Sequence, residues 1–182
     1  MDVSLATPAE RSLIEGLFQF YAYDFSELEP TGSRHFEPGA DGRFPPYVYL
    51  DDYWRQPSRV PLIIRSAGRA AGFALINSIG HSGRPVERNM AEFFVMRKHR
   101  RGGVGSAAVR TILARYPGVW EIAIAGRNTG ALAFWPNVVA QTPGVGDLVT
   151  LEDNGAAWAG PILRFSVAAV MGASRDTANP TR

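Results

Sequence analysis

Between Phe93 and Arg110 the chain changes character twice, and the order of those changes restricts the folds open to it. Phe93-Phe94-Val95-Met96 is an apolar run with strand character. Arg97-Lys98-His99-Arg100-Arg101-Gly102-Gly103 is a basic, glycine-rich turn. Val104, Ala107, Ala108 and Ile112 then recur at helical spacing. Strand, glycine turn and helix in that order build an anion site. Glycines admit close backbone approach, freed N–H groups point outward, and the helix N-terminus adds partial positive charge.

The rest of the chain reads as one domain over residues 1–169 with a polar, small-residue tail over 170–182, expected to be disordered. Thr7-Pro8-Ala9-Glu10 has the form of a capping box, and Ile14, Phe18, Tyr21 and Phe25 predict a helix from about Pro8 to Phe25. Asp2 to Leu5 is a short edge strand. Glu29 to Pro46 is broken by prolines and glycines spread along it, among them Pro30, Gly32, Pro38, Gly39 and Gly42, and forms a loop. In Tyr47 to Trp54, aromatic residues flank Asp51 and Asp52; they either pack beneath that loop or line a pocket. Pro61–Arg65 and Ala70–Ile79 form a hairpin around Ala67-Gly68, and Met90–Met96 is the next strand. A helix from about Gly103 to Tyr116, a strand over Val119–Ala125, a helix over Asn128–Val139 that Pro136 must kink or end, and strands over Val145–Leu151 and Pro161–Val167 complete the chain.

Composition excludes several classes. With no cysteine there is no disulfide, thiolate nucleophile or thiolate metal site, which suits a cytoplasmic location. His35, His81 and His99 are scattered, so no metal is expected. The N-terminus lacks a signal-peptide pattern, and no apolar run reaches the roughly 20 residues of a membrane span. A net charge of +2 is too small for general attraction to nucleic acid, and the basic run is narrow. No nucleic-acid or membrane partner is expected, and the chain is expected to be a monomer or homodimer.

Three phosphate-site patterns compete. A P-loop requires Lys-Ser or Lys-Thr after its last glycine, but Ser106-Ala107 follow Gly105. Gly103-x-Gly105-x-x-Ala108 meets the relaxed dinucleotide fingerprint, although Arg97 to Arg101 separate it from the strand. Arg100-x-x-Gly103-x-Gly105 fits best. It resembles motif A of the GNAT superfamily of N-acetyltransferases: Gln or Arg, two residues, Gly, one residue, then Gly or Ala. The resemblance extends through element order from about Asp2 to Val167, and Asn128 matches an asparagine of that family. Gln19 to Ser26, with Tyr53-Trp54, is similar to a subgroup of bacterial predicted acetyltransferases.

The resemblance implies an α+β fold with a mostly antiparallel, twisted sheet of six to seven strands, flanked by helices and splayed at the cofactor site. It implies acetyl-CoA as cofactor and transfer of the acetyl group to an amine of a small molecule or a protein, or else a non-catalytic acyl-CoA-binding module of the same fold. Phe94, Val95 and Met96 would pair with the pantetheine arm, with the Val95 N–H as oxyanion donor. Arg100, Arg101, Gly102, Gly103, Val104, Gly105 and Ser106 would meet the phosphates, while Asn128, Phe134 and Trp135 would border the arm. Glu92, three residues before Val95 and on the face of Phe94 and Met96, is the candidate general base; the alternative pairs it with an arginine such as Arg88. Trp135 stands where the family usually carries a tyrosine acid, and an indole N–H does not supply a proton near neutral pH. Tyr47, Tyr49 or Tyr53 would then serve, or water and the substrate ammonium would suffice. Tyr21, Asp24, Tyr49 and Tyr53 are candidate contacts for a cationic acceptor.

Overall fold

The computed structural model describes residues 1–152 and 158–169; the tail expected over 170–182 lies outside them. Strands β1 (Asp2–Leu5), β2 (Val60–Ser66), β3 (Arg69–Asn77), β4 (Arg88–Val95), β5 (Gly118–Ala123), β6 (Val145–Leu151) and β7 (Ile162–Val167) form one sheet in the order β1-β2-β3-β4-β5-β7-β6. All neighbours are antiparallel except β4 and β5. Three helices accompany the sheet: α1 (Arg11–Ser26), α2 (Val104–Arg115) and α3 (Thr129–Ala140). No helix among the described residues is long and apolar enough to cross a membrane.

The middle strands are apolar on both faces because helices cover both. Leu62, Ile63 and Ile64 run consecutively along β2 and are all fully buried. Ile63, Phe73, Leu75 and Phe94 meet Ile14, Leu17, Phe18 and Tyr21 of α1. Leu62, Ile64, Ala74, Ile76, Trp120 and Phe165 meet the inward stripes of α2 and α3. Each such aliphatic or aromatic side chain stabilises the fold by roughly 1.5–3 kcal/mol through burial, enough to hold α1 flat on β3 and β4.

The boundary signals act largely as expected. Thr7 and Glu10 close the capping box at a short 3-10 turn, and α1 follows directly. Of the Tyr47–Trp54 segment, Tyr53 is buried and the Trp54 indole donates to the Ala6 carbonyl at 3.0 Å, so part of it is packing. Pro136 does not end α3, which continues to Ala140. Trp135, Val138 and Val139 are all buried on the sheet and hold the helix across the missing N–H.

Candidate active site

Strands β4 and β5 are paired at only two positions, Arg88–Trp120 and Asn89–Glu121, and then part. The remainder of β4 therefore has a partner on one side only, β3. Met96 N–H donates to the Ala71 carbonyl at 2.8 Å. Antiparallel bonding alternates, so the neighbouring Val95 N–H turns away from β3 and into the opening. The Val95 carbonyl accepts from Arg100 Nε at 2.6 Å, which fixes the orientation of this segment from the turn side. Gly72, opposite Val95, is what lets β3 come this close: a Cβ there would overlap the Phe94 carbonyl. Gly72→Val is accordingly expected to lower the melting temperature and weaken cofactor affinity together, measurable by thermal unfolding with and without coenzyme A.

Below the opening, the turn takes the form of an anion cradle. Arg101 and Gly103 both have positive φ, 62° and 78°, and α2 starts at Val104. No side chain caps that start, and the first intrahelical bond runs from Ala107 N–H to the Gly103 carbonyl. The Val104, Gly105 and Ser106 N–H groups are thus left without intrahelical acceptors. A Cβ on Gly102 or Gly103 would meet nothing, so open space lies over the turn. The turn opens on a cleft of about 690 Å³ that is also bordered by Phe93, Val95, Asn128, Phe134 and Trp135. Uncapped N–H groups, a helix dipole and exposed Lys98 and Arg101 suit a phosphorylated carrier, and the apolar walls suit its arm.

Two expected cofactor residues are engaged elsewhere. Arg100 forms an ion pair with Asp24, which Arg97 also bridges at 2.8 Å. Asp24, an expected acceptor contact, thereby ties α1 to the turn beside the 690 Å³ cleft. Asn128 Oδ1 caps α3 by accepting from the Ala131 N–H at 2.9 Å, which leaves its Nδ2 for a ligand.

A second cavity, about 980 Å³, lies across Phe93 and shares the walls formed by Tyr21, Asn128 and Trp135. Glu92 stands in its wall. It shares the α1-facing side of β4 with Phe94, as alternation predicts. Its partner is the Tyr21 hydroxyl, not an arginine; Arg88 instead lies over the Tyr116 ring. Burial raises the Glu92 carboxyl to about 7, against the lowering effect of hydrogen bonding from Tyr21 and Tyr47. Burial also raises the Tyr21, Tyr47 and Tyr53 hydroxyls, with the Glu92 charge adding to each. Tyr49 lines this cavity, whereas Tyr53 lies buried behind it.

Sequence reading missed a polar row on the same face. The register slips between Leu75 and Ile76, leaving Ala91 as an extra residue in β4. This bulge turns Asn89 to the side that Glu92 occupies, where strict alternation would place it on the opposite side. Asn77 pairs with Asn89, and Val60 pairs with Ile76, so Arg59 extends the row just before β2. Only the bulge was invisible. Arg59 has the same parity as inward-facing Ile63, a signal that was available.

The arrangement has known relatives. The family described as Acetyltransferase (GNAT) family matches residues 23–137. No curated protein is significantly similar in sequence. Among solved structures, an acetyltransferase from Thermus thermophilus superposes with a TM-score of 0.59 at 15% identity, over 90% of this chain and 94% of that one. Spermidine N-acetyltransferase from Vibrio cholerae, solved in complex with CoA and spermine, gives 0.55 at 10% identity over 91% and 94%. The ribosomal-protein-S18-alanine N-acetyltransferase from Escherichia coli gives 0.52 at 10% identity over 96% and 97%. Splayed strands, an uncapped helix over a glycine turn and a match across most of the chain lead to one assignment: this chain belongs to the GNAT family of acetyltransferases.

Proposed function

We propose that this chain is an acetyl-CoA-dependent N-acetyltransferase acting on an amine of a small molecule or a protein. The observation that carries this reading is the position of Glu92: a carboxyl raised to about 7 in the wall of the second cavity, three residues before an outward-turned backbone N–H. Acetyl-CoA, when bound, supplies the acetyl group as an activated thioester. The α2 N-terminus with the exposed Lys98 and Arg101 would hold its phosphates, while Phe134, Trp135 and the Asn128 amide, which line the cleft, would border the arm. Val95 N–H would donate to the carbonyl oxygen at which negative charge develops. Glu92 accepts the proton of the attacking amine, and its raised affinity for protons makes it an effective base near neutral pH.

Trp135 in the usual tyrosine position leaves the thiolate without its customary donor. Tyr21 is the buried hydroxyl that borders both cavities and contacts Glu92, so it can pass a proton from one to the other. Acetyl-CoA is expected to raise the melting temperature, and a panel of primary amines to elicit release of free coenzyme A. A shift without release from any amine would favour a non-catalytic acyl-CoA-binding module, and no shift at saturating acetyl-CoA would overturn both.

A further inference from the structure

The acceptor cavity carries a cation that acetyl transfer itself does not use. Arg59 lines the cavity with its side chain only 7% exposed. Its guanidinium lies over the Tyr49 and Tyr53 rings at 5.6 and 5.2 Å, and its Nε donates to Gln56 Oε1 at 3.0 Å. Its nearest carboxylate, Asp52, is 3.7 Å away and partly exposed. Ring faces and Gln56 stabilise this guanidinium, but its one ion pair among the described residues is long, so it retains the capacity to take a close anion. A planar oxyanion fits that role through the guanidinium fork.

Beside Arg59 along the polar row, Asn89 is 1% exposed and its Oδ1 has no hydrogen-bond partner among the described residues. Asn77 Oδ1 accepts from the Ile79 N–H at 2.9 Å and from Asn89 Nδ2 at 3.0 Å, so Asn89 must present its amide nitrogen to Asn77 and its oxygen elsewhere. An orphaned buried acceptor at a cavity wall calls for a donor on a ligand. The row lies two strand steps, roughly 7 Å, beyond Glu92. Among the described residues that line the cavity, Glu29 and Glu92 are balanced by Arg59 and Arg127, and Asp24 is held in the other cleft. A polycation finds no excess of negative charge there.

We propose that the acceptor is a compact amine that also carries an oxyanion, a carboxylate or a phosphate, with the oxyanion on Arg59 and the ammonium or a neighbouring donor between Asn89 Oδ1 and Glu92. The proposal rests on the acetyl-transfer reading for the position of the amine. It is tested with matched pairs: 5-aminopentanoate against pentylamine, phenylalanine against 2-phenylethylamine, and phosphoethanolamine against ethanolamine. Each compound is assayed for coenzyme A release and titrated calorimetrically into the protein loaded with coenzyme A. The oxyanion-bearing member of at least one pair is expected to bind and react tenfold or more better, and which pair does so separates carboxylate from phosphate. Arg59→Met should erase that preference by raising KM for the oxyanion-bearing member alone, with Arg59→Lys intermediate. Equal or better use of the members that lack the oxyanion by the unmodified protein overturns the proposal, and that comparison needs no variant to fold. An oxyanion preference in calorimetry without coenzyme A release would sink acetyl transfer and leave the oxyanion site at Arg59 standing. Release from both members alike would do the reverse.

Discussion

Gly103→Glu is expected to abolish coenzyme A binding while leaving the protein folded. Gly103 has φ of 78°, a region that costs a residue with a side chain roughly 1–2 kcal/mol. A side chain there meets no protein atom, so the fold tolerates its volume. The carboxylate, however, occupies the open space over the turn and places negative charge at the α2 N-terminus, where the ligand phosphate must sit. Loss of the helix-terminus contribution and added repulsion together are of order 3 kcal/mol, about a hundredfold or more in affinity. Calorimetric titration with coenzyme A measures this directly. Unaltered affinity would remove the Arg100–Ser106 turn as the phosphate site.

Glu92→Gln separates chemistry from stability. Removing a general base lowers turnover by about 10²–10⁴-fold, with cofactor affinity unchanged. In the unmodified protein, turnover should fall as pH drops through about 7, where Glu92 becomes protonated. Stability should move the opposite way. The folded-state value is raised above the unfolded one, so the stabilising contribution is complete below the unfolded value and is lost as pH rises through about 7. Above about pH 8 the ionised carboxylate therefore burdens the fold. Because Glu92 borders a cavity that water can enter, the burden is of order 1–2 kcal/mol, below the full conversion of the shift. Glu92→Gln should consequently melt higher than the unmodified protein at about pH 8.5 and much less so at about pH 5. Equal turnover in the variant would dismiss Glu92 as base, and an unchanged melting difference across that range would dismiss its buried ionisation.

The backbone plan is legible in the sequence because its signals are local. The Thr7/Glu10 box, the Ala67-Gly68 turn and the apolar periods of α1 and α2 act within a few residues of themselves, and the glycine turn announces its own conformation. The carboxylates are legible in kind but not in partner. Asp24, a candidate acceptor contact on sequence grounds, instead bridges Arg97 and Arg100, which lie far along the chain from it. Glu92 fits either a base or an arginine partner in the sequence; in the fold its hydrogen-bond partner is Tyr21 of α1.

By itself, then, the sequence determined the order of elements, the family of the fold and the succession of strand, glycine turn and helix over Phe93–Arg110. Only the tertiary structure decided which face each polar side chain occupies. One extra residue at Ala91 reverses the parity of β4 and brings Asn89, Asn77 and Arg59 into line beyond Glu92. The Val95 N–H likewise turns outward into a gap that exists only because β5 departs after two pairs. Register and strand separation are set by contacts between distant segments, whereas caps, turns and periods are set by neighbours along the chain.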